Sequence, residues 1–130
     1  MNIGDNYSTS FVLDTIVYEG FLQTFKDRNP LHTDPVFARK LGFENEVMHG
    51  NILNGFLSYF IGECLPMKNV IIHSQQIDYK KPVYLNDQLE LQAEVIDIHA
   101  SVNTIEFKFT FSNQHGDKVA KGKIQIGLLT

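Results

Sequence analysis

A chain of 130 residues suits one domain, and its 43% hydrophobic content is enough for a sizeable core. The formal charge of -4, with Lys and Arg scattered, excludes the basic footprint of a nucleic-acid binder. A single cysteine, Cys64, excludes an intramolecular disulfide, and no apolar run reaches the length of a membrane span.

Met1–Asp5 has neither the basic nor the apolar region of a signal peptide, so a soluble cytoplasmic protein is expected. Ser10 to Tyr18, with Phe11, Val12, Leu13, Ile16 and Val17, predicts a strand leading into a short helix around Glu19–Phe25. Asp34-Pro35 is a helix start, with Asp as N-cap and Pro at the first helical position; Gly42 closes that helix after Leu41. Gly50 to Leu65 carries Ile52, Leu53, Phe56, Leu57, Tyr59, Phe60 and Ile61 nearly all round the cylinder, which predicts a buried helix. Pro66 stops it, and Cys64 inside it reads as a buried, inert thiol. Asn51, Asn54 and Ser58 share one stripe of this helix, bonded to neighbouring backbone or facing a polar cavity.

The second half alternates with period two. Val70–Tyr79 is one strand. Leu89, Leu91, Ala93 and Val95 mark a second, Asn103 through Phe111 a third, and Ala120 through Leu128 a fourth. Pro82–Asp87 is a turn-rich link with Asn86-Asp87 at its tip, and Asn113–Asp117 is a hairpin in which Gly116 supplies a positive φ. The pattern predicts an antiparallel meander of about four strands. One long apolar helix followed by such a sheet is the hot-dog architecture, an α+β fold in which the sheet wraps the helix. Residues 1–130 form a single domain on this reading.

Two segments carry the chemistry. Asp27-Arg28-Asn29-Pro30-Leu31-His32 sets a carboxylate and an imidazole five residues apart around a proline, and Met48-His49-Gly50 opens the apolar helix. An acid/base pair plus a backbone amide at a helix start is the minimum kit for proton transfer beside a carbonyl. The same residues also read as a tight turn and a helix-opening glycine with no chemical role. His32, His49, His73, His99 and His115 show no ligand spacing, so neither metal nor cofactor is expected. Lys80-Lys81, the one basic doublet, reads as a solvated strand end.

Asp27-Arg28-Asn29-Pro30-Leu31-His32, followed by Asp34 and Ala38, resembles the hydratase motif of the MaoC-like dehydratases, which include the (R)-specific enoyl-CoA hydratases. Met48-His49-Gly50 is similar to the family's His-Gly at its central helix, and Leu65-Pro66, Lys81-Pro82-Val83 and Asn86-Asp87 are similar to later landmarks. The chain departs from the pattern at Phe25-Lys26, where the family has Ser-Gly, and at Asn86, where it has Gly. The resemblance implies Asp27 and His32 as catalytic pair, Gly50 as oxyanion donor and Ser58 as supporting residue. Asn29, with Pro30, would shape the loop so that Asp27 and His32 converge. Arg28 reads as a solvated arginine, His49 as structural and Asp34 as a cap. The implied reaction is reversible hydration of a trans-2-enoyl thioester to a (R)-3-hydroxyacyl thioester. The implied partners are acyl-CoA or an acyl carrier protein, with a homodimer as the expected assembly, since a lone sheet around one helix leaves edges open. The competing readings are a hot-dog thioesterase and a non-catalytic acyl-thioester binding protein.

Overall fold

The computed structural model describes residues 1–130. Its strands are β1 (Asn6–Val12), β2 (Val70–Tyr79), β3 (Gln88–His99), β4 (Thr104–Ser112) and β5 (Lys118–Leu128); its helices are α1 (Thr15–Phe25), α2 (Pro30–Thr33), α3 (Pro35–Lys40) and α4 (Asn51–Tyr59). All five strands form one antiparallel sheet in the order β1-β3-β4-β5-β2.

The alternation read from the sequence is the alternation of burial. Leu89, Leu91, Ala93 and Val95 on β3 face inward with Ile105, Phe107, Phe109 and Phe111 on β4 and Ile124 and Ile126 on β5. Against them stand Ile52, Leu53 and Leu57 of α4, with Phe60 and Ile61 beyond it. At ~25 cal/mol per Å2 of apolar surface, this sandwiched layer is the main stabilising term. β1 joins the same core through Phe11, whose ring stacks on Phe56 at 4.3 Å. This is the hot-dog arrangement expected from the chain.

Several details differ from the sequence reading. The first strand ends at Val12, and the helix starts at Thr15 instead of Glu19. Asp14 caps it, its carboxylate accepting from the Val17 amide at 3.0 Å, and this local bond outweighs the β-preference of Ile16 and Val17. The sheet is not a simple meander: β3, β4 and β5 are, but β2 crosses over to pair with β5. The central helix is α-helical only to Tyr59; Phe60–Cys64 widen into a π-turn before Leu65 turns extended ahead of Pro66. Asn103 sits in a left-handed turn, φ 54°, outside β4. Cys64 is half-buried against the core, not fully inside it.

Other local readings hold. Asp34 caps α3 by accepting from the Val36 and Phe37 amides, and Gly42 takes φ 95° just past its end. Gly116 takes φ 79° in the β4–β5 hairpin. No helix is long and apolar enough to cross a membrane.

Candidate active site

The loop between α1 and α2 is built by its own side chains. α1 ends at Lys26, which lies in the left-handed region with φ 62° and donates its amide to the Leu22 carbonyl. The chain then turns at Asp27, whose Oδ1 accepts from the Asn29 amide at 3.2 Å. Asn29 in turn caps α2, its Oδ1 accepting from the Leu31 amide at 2.9 Å, with Pro30 at the first helical position. The turn and the site are therefore the same object: the Asx turn that Asp and Asn favour is what aims the carboxylate.

His32 is held by its ring and its backbone. Nδ1 lies 2.7 Å from the Val47 carbonyl, and the Tyr18 hydroxyl donates to the His32 carbonyl at 2.7 Å. A carbonyl only accepts, so Nδ1 carries the hydrogen and Nε2 of the neutral ring presents a lone pair. That Nε2 stands 3.8 Å from Asp27 Oδ2. The separation is too long for a direct hydrogen bond. It is short enough for two acceptors to receive from one small donor such as water. The pair is asymmetric in solvent contact, the His32 side chain being 18% exposed and that of Asp27 51%.

His49 locks the arrangement from beneath. It is buried, its ring stacks on His32 at 4.1 Å between centroids, and its Nε2 donates to the Asp27 carbonyl at 2.8 Å. Its Nδ1 is left buried without a partner. Phe21 packs on the other side of the pair, 4.7 Å from the His49 ring. From the sequence His49 is expected to bond across the helix start; its bond runs instead to the backbone of Asp27.

Gly50 immediately precedes α4, with ordinary helical angles, φ -59° and ψ -33°. Its amide and that of Asn51 donate to nothing within the chain. At the start of an apolar helix these are the free donors that attract a developing negative charge. The need for glycine here is not conformational, nor does it come from the substrate alone. A Cβ at position 50 would meet Cε1 and Cζ of Tyr79 at 2.8 and 2.9 Å. Tyr79 is held by the Asn54 side chain, which donates to its hydroxyl at 3.3 Å and accepts from Gln75 at 2.6 Å. Burial pushes the Tyr79 phenol above its ordinary range, and the Asn54 bond draws it back in part.

His32, Gly50 and Tyr79 line one cleft of about 460 Å3 together with Met48, Lys80 and Val83. Asp27 lines the adjoining groove of about 840 Å3 between α1 and α4, with Phe21, Phe25 and Phe56 on its walls; Asn51 borders both. The structure thus sets Asp27 against His32, with Asn29 shaping their loop and Gly50 lining the cleft beside His32. Of the polar stripe, Asn51 and Asn54 reach this region, but Ser58 is exposed and lines neither cleft. Tyr18 and Tyr79 were invisible in the sequence as site residues, because each arrives from a distant element and neither lies in a motif. Asn86 takes φ 71°, which explains why a residue tolerant of that region stands there, and Asp87 beside it is buried, accepting from Tyr84 and Gln114.

The family model described as MaoC like domain matches residues 17–116. Over 75 residues the chain is 37% identical to a (R)-specific enoyl-CoA hydratase of Aeromonas caviae, covering 58% of this chain and 56% of that protein. Over 110 residues it is 28% identical to a mitochondrial 3-hydroxyacyl-[acyl-carrier-protein] dehydratase of Arabidopsis thaliana, covering 85% of this chain and 65% of that protein. The chain therefore spans less than two thirds of either relative. A solved (R)-hydratase from A. caviae, involved in PHA biosynthesis, superposes with a TM-score of 0.89 at 26% identity, over 98% of this chain and 97% of that one.

Proposed function

The chain belongs to the MaoC-like domain family, and from that premise we propose that it is a hydro-lyase interconverting trans-2-enoyl and (R)-3-hydroxyacyl thioesters carried on coenzyme A or an acyl carrier protein. The observation that carries the reading is the facing pair Asp27 Oδ2 and His32 Nε2, both acceptors, 3.8 Å apart beside a free helix-start amide. The names of the Aeromonas caviae and Arabidopsis thaliana relatives support the same reaction class.

In the hydration direction one water sits between the two acceptors. It gives a proton to Asp27 while its oxygen bonds to the β-carbon of the enoyl thioester. The C–C π pair moves toward the carbonyl, and the resulting enolate oxygen accepts from the Gly50 amide, with the α4 dipole adding to the stabilisation. The proton then returns from the Asp27/His32 pair to the α-carbon, and the thioester stays intact. Losing an oxyanion donor costs about 3–4 kcal/mol in comparable sites. His49 and Tyr18 hold the pair in register, His49 through the Asp27 carbonyl and Tyr18 through the His32 carbonyl.

The test is the loss of enoyl absorbance when crotonyl-CoA is mixed with the purified chain, repeated with longer enoyl chains. Hydration without release of free thiol is the expected result. Thiol release without hydration would make the protein a thioesterase, and binding with neither would make it a carrier of acyl thioesters.

A further inference from the structure

A second cluster of ligand-type side chains lies on the outer face of the sheet, away from the catalytic loop. In β3 and β4, Asp97 stands directly opposite Glu106 and His99 directly opposite Thr104. These side chains alternate with the inward Ile105 and Phe107, so they share the outer surface. The register shifts between Val95 and Asp97, and this irregularity sets Asp97 against Glu106. Two carboxylates directly opposed across strands repel. The nearby Lys108 is engaged with Glu94 at 2.9 Å, which leaves the His99 imidazole as the basic group beside the two carboxylates.

The donor atoms are already gathered. Asp97 Oδ2 lies 3.1 Å from His99 Nε2, and the ligand atoms of Asp97, His99 and Glu106 all fall within 4.8 Å of one another. Two donors each ~2.1 Å from an ion at a tetrahedral angle stand ~3.4 Å apart. The other Asp97 oxygen accepts from the Ile98 amide at 2.9 Å, which turns Oδ2 toward the imidazole. Thr104, on the same face between His99 and Gly127, is only 7% exposed, and its Oγ1 is shielded from solvent without a hydrogen-bond partner. The His73 ring lies over Gly127, the other cross-strand neighbour of Thr104. With its Oγ1 shielded from solvent, Thr104 borders the cluster and supplies no ligand.

We propose that Asp97, His99 and Glu106 bind a divalent transition-metal ion of the zinc type, which clasps β3 to β4. One imidazole and two carboxylates form a borderline donor set that favours zinc over magnesium. The cluster lies toward the Gly127 end of β5, whereas Tyr79 beside Gly50 pairs with Ala120. At ~3.3 Å per residue the two places are roughly 20 Å apart along the strand. The ion's role is therefore independent of the hydratase reading.

The test is calorimetric titration of the purified full chain with zinc chloride, together with melting temperature with and without zinc. One ion per chain and a raised melting temperature are expected. His99→Ala and the near-isosteric Glu106→Gln should each weaken binding at least tenfold and abolish the melting gain, while turnover stays unchanged. Absence of zinc uptake by the wild-type chain would overturn the proposal. So would uptake that survives in both variants but disappears in His32→Ala, because the ion would then lie at Asp27, His32 and His49.

Discussion

Asp27 Oδ1 is occupied by the Asn29 amide and His32 Nδ1 by the Val47 carbonyl, so each residue has one free acceptor and both point at the same place. Asp27→Asn and His32→Ala should each remove nearly all hydratase activity with little change in melting temperature. The double variant should be scarcely worse than either single one, because both groups act on one water. A single variant keeping more than about a tenth of turnover, a barrier change of only ~1.4 kcal/mol, would contradict these roles. Gly50 is constrained differently from the simple picture of a glycine making room for substrate. Its φ of -59° suits any residue, and what excludes a side chain is the Tyr79 ring. Gly50→Ala should therefore lower stability by up to about 1 kcal/mol, since the half-exposed Tyr79 ring must turn aside from its Asn54 bond, as well as lowering turnover. Adding Tyr79→Leu should restore much of the melting temperature. If the double variant regains stability but not turnover, a side chain at position 50 obstructs the cleft itself, and Gly50→Pro, which deletes the N–H, should be worse still. Recovery of both together would reduce Gly50 to a packing position.

At the scale of elements, the junction of α1 and the Asp27–His32 loop is a helix cap occupied by an unusual residue. Lys26 holds φ 62°, where glycine is the ordinary choice and where a Cβ costs roughly 1–2 kcal/mol. Phe25-Lys26 stands where the family pattern has Ser-Gly, so the departure noted in the sequence falls on a backbone position under strain. Lys26→Gly should raise stability by about 1 kcal/mol in urea denaturation, read as a higher midpoint with unchanged slope. A lower midpoint would mean that the lysine side chain makes up for its backbone. Lys26 is exposed and borders neither cleft, so crotonyl-CoA turnover should change little.

For the whole molecule, the sheet leaves β1 and β2 as open edges, and Ile16, Phe25, Tyr59, Ile71 and Tyr79 are exposed hydrophobics. Of these, Phe25 lines the groove between α1 and α4 beside Asp27, and Tyr79 lines the neighbouring cleft. Exposed apolar surface together with an unpaired edge strand favours association with a second copy. Light scattering at micromolar concentration should give the mass of a homodimer, or of a larger assembly built from dimers. A monomer would refute this.

The sequence by itself determined the parts governed by local rules. Period-two burial in β3, β4 and β5, the Asp34-Pro35 cap, the Gly116 hairpin and the Asx turn at Asp27–Asn29 each depend on residues within a few positions of one another. The Asp27/His32 pair was picked out by the family resemblance, because five residues and one proline fit a plain turn equally well. Tertiary structure alone decided what depends on distant contacts. It placed β2 beside β5 instead of β3, because hydrogen-bonding partners of a strand leave no trace in its own alternation. It set the Tyr79 ring against Gly50 and put the Tyr18 hydroxyl on the His32 carbonyl, contacts between residues far apart in the chain. It also left Ser58 outside the site, because a stripe on a helix fixes which residues share a face but not what that face meets.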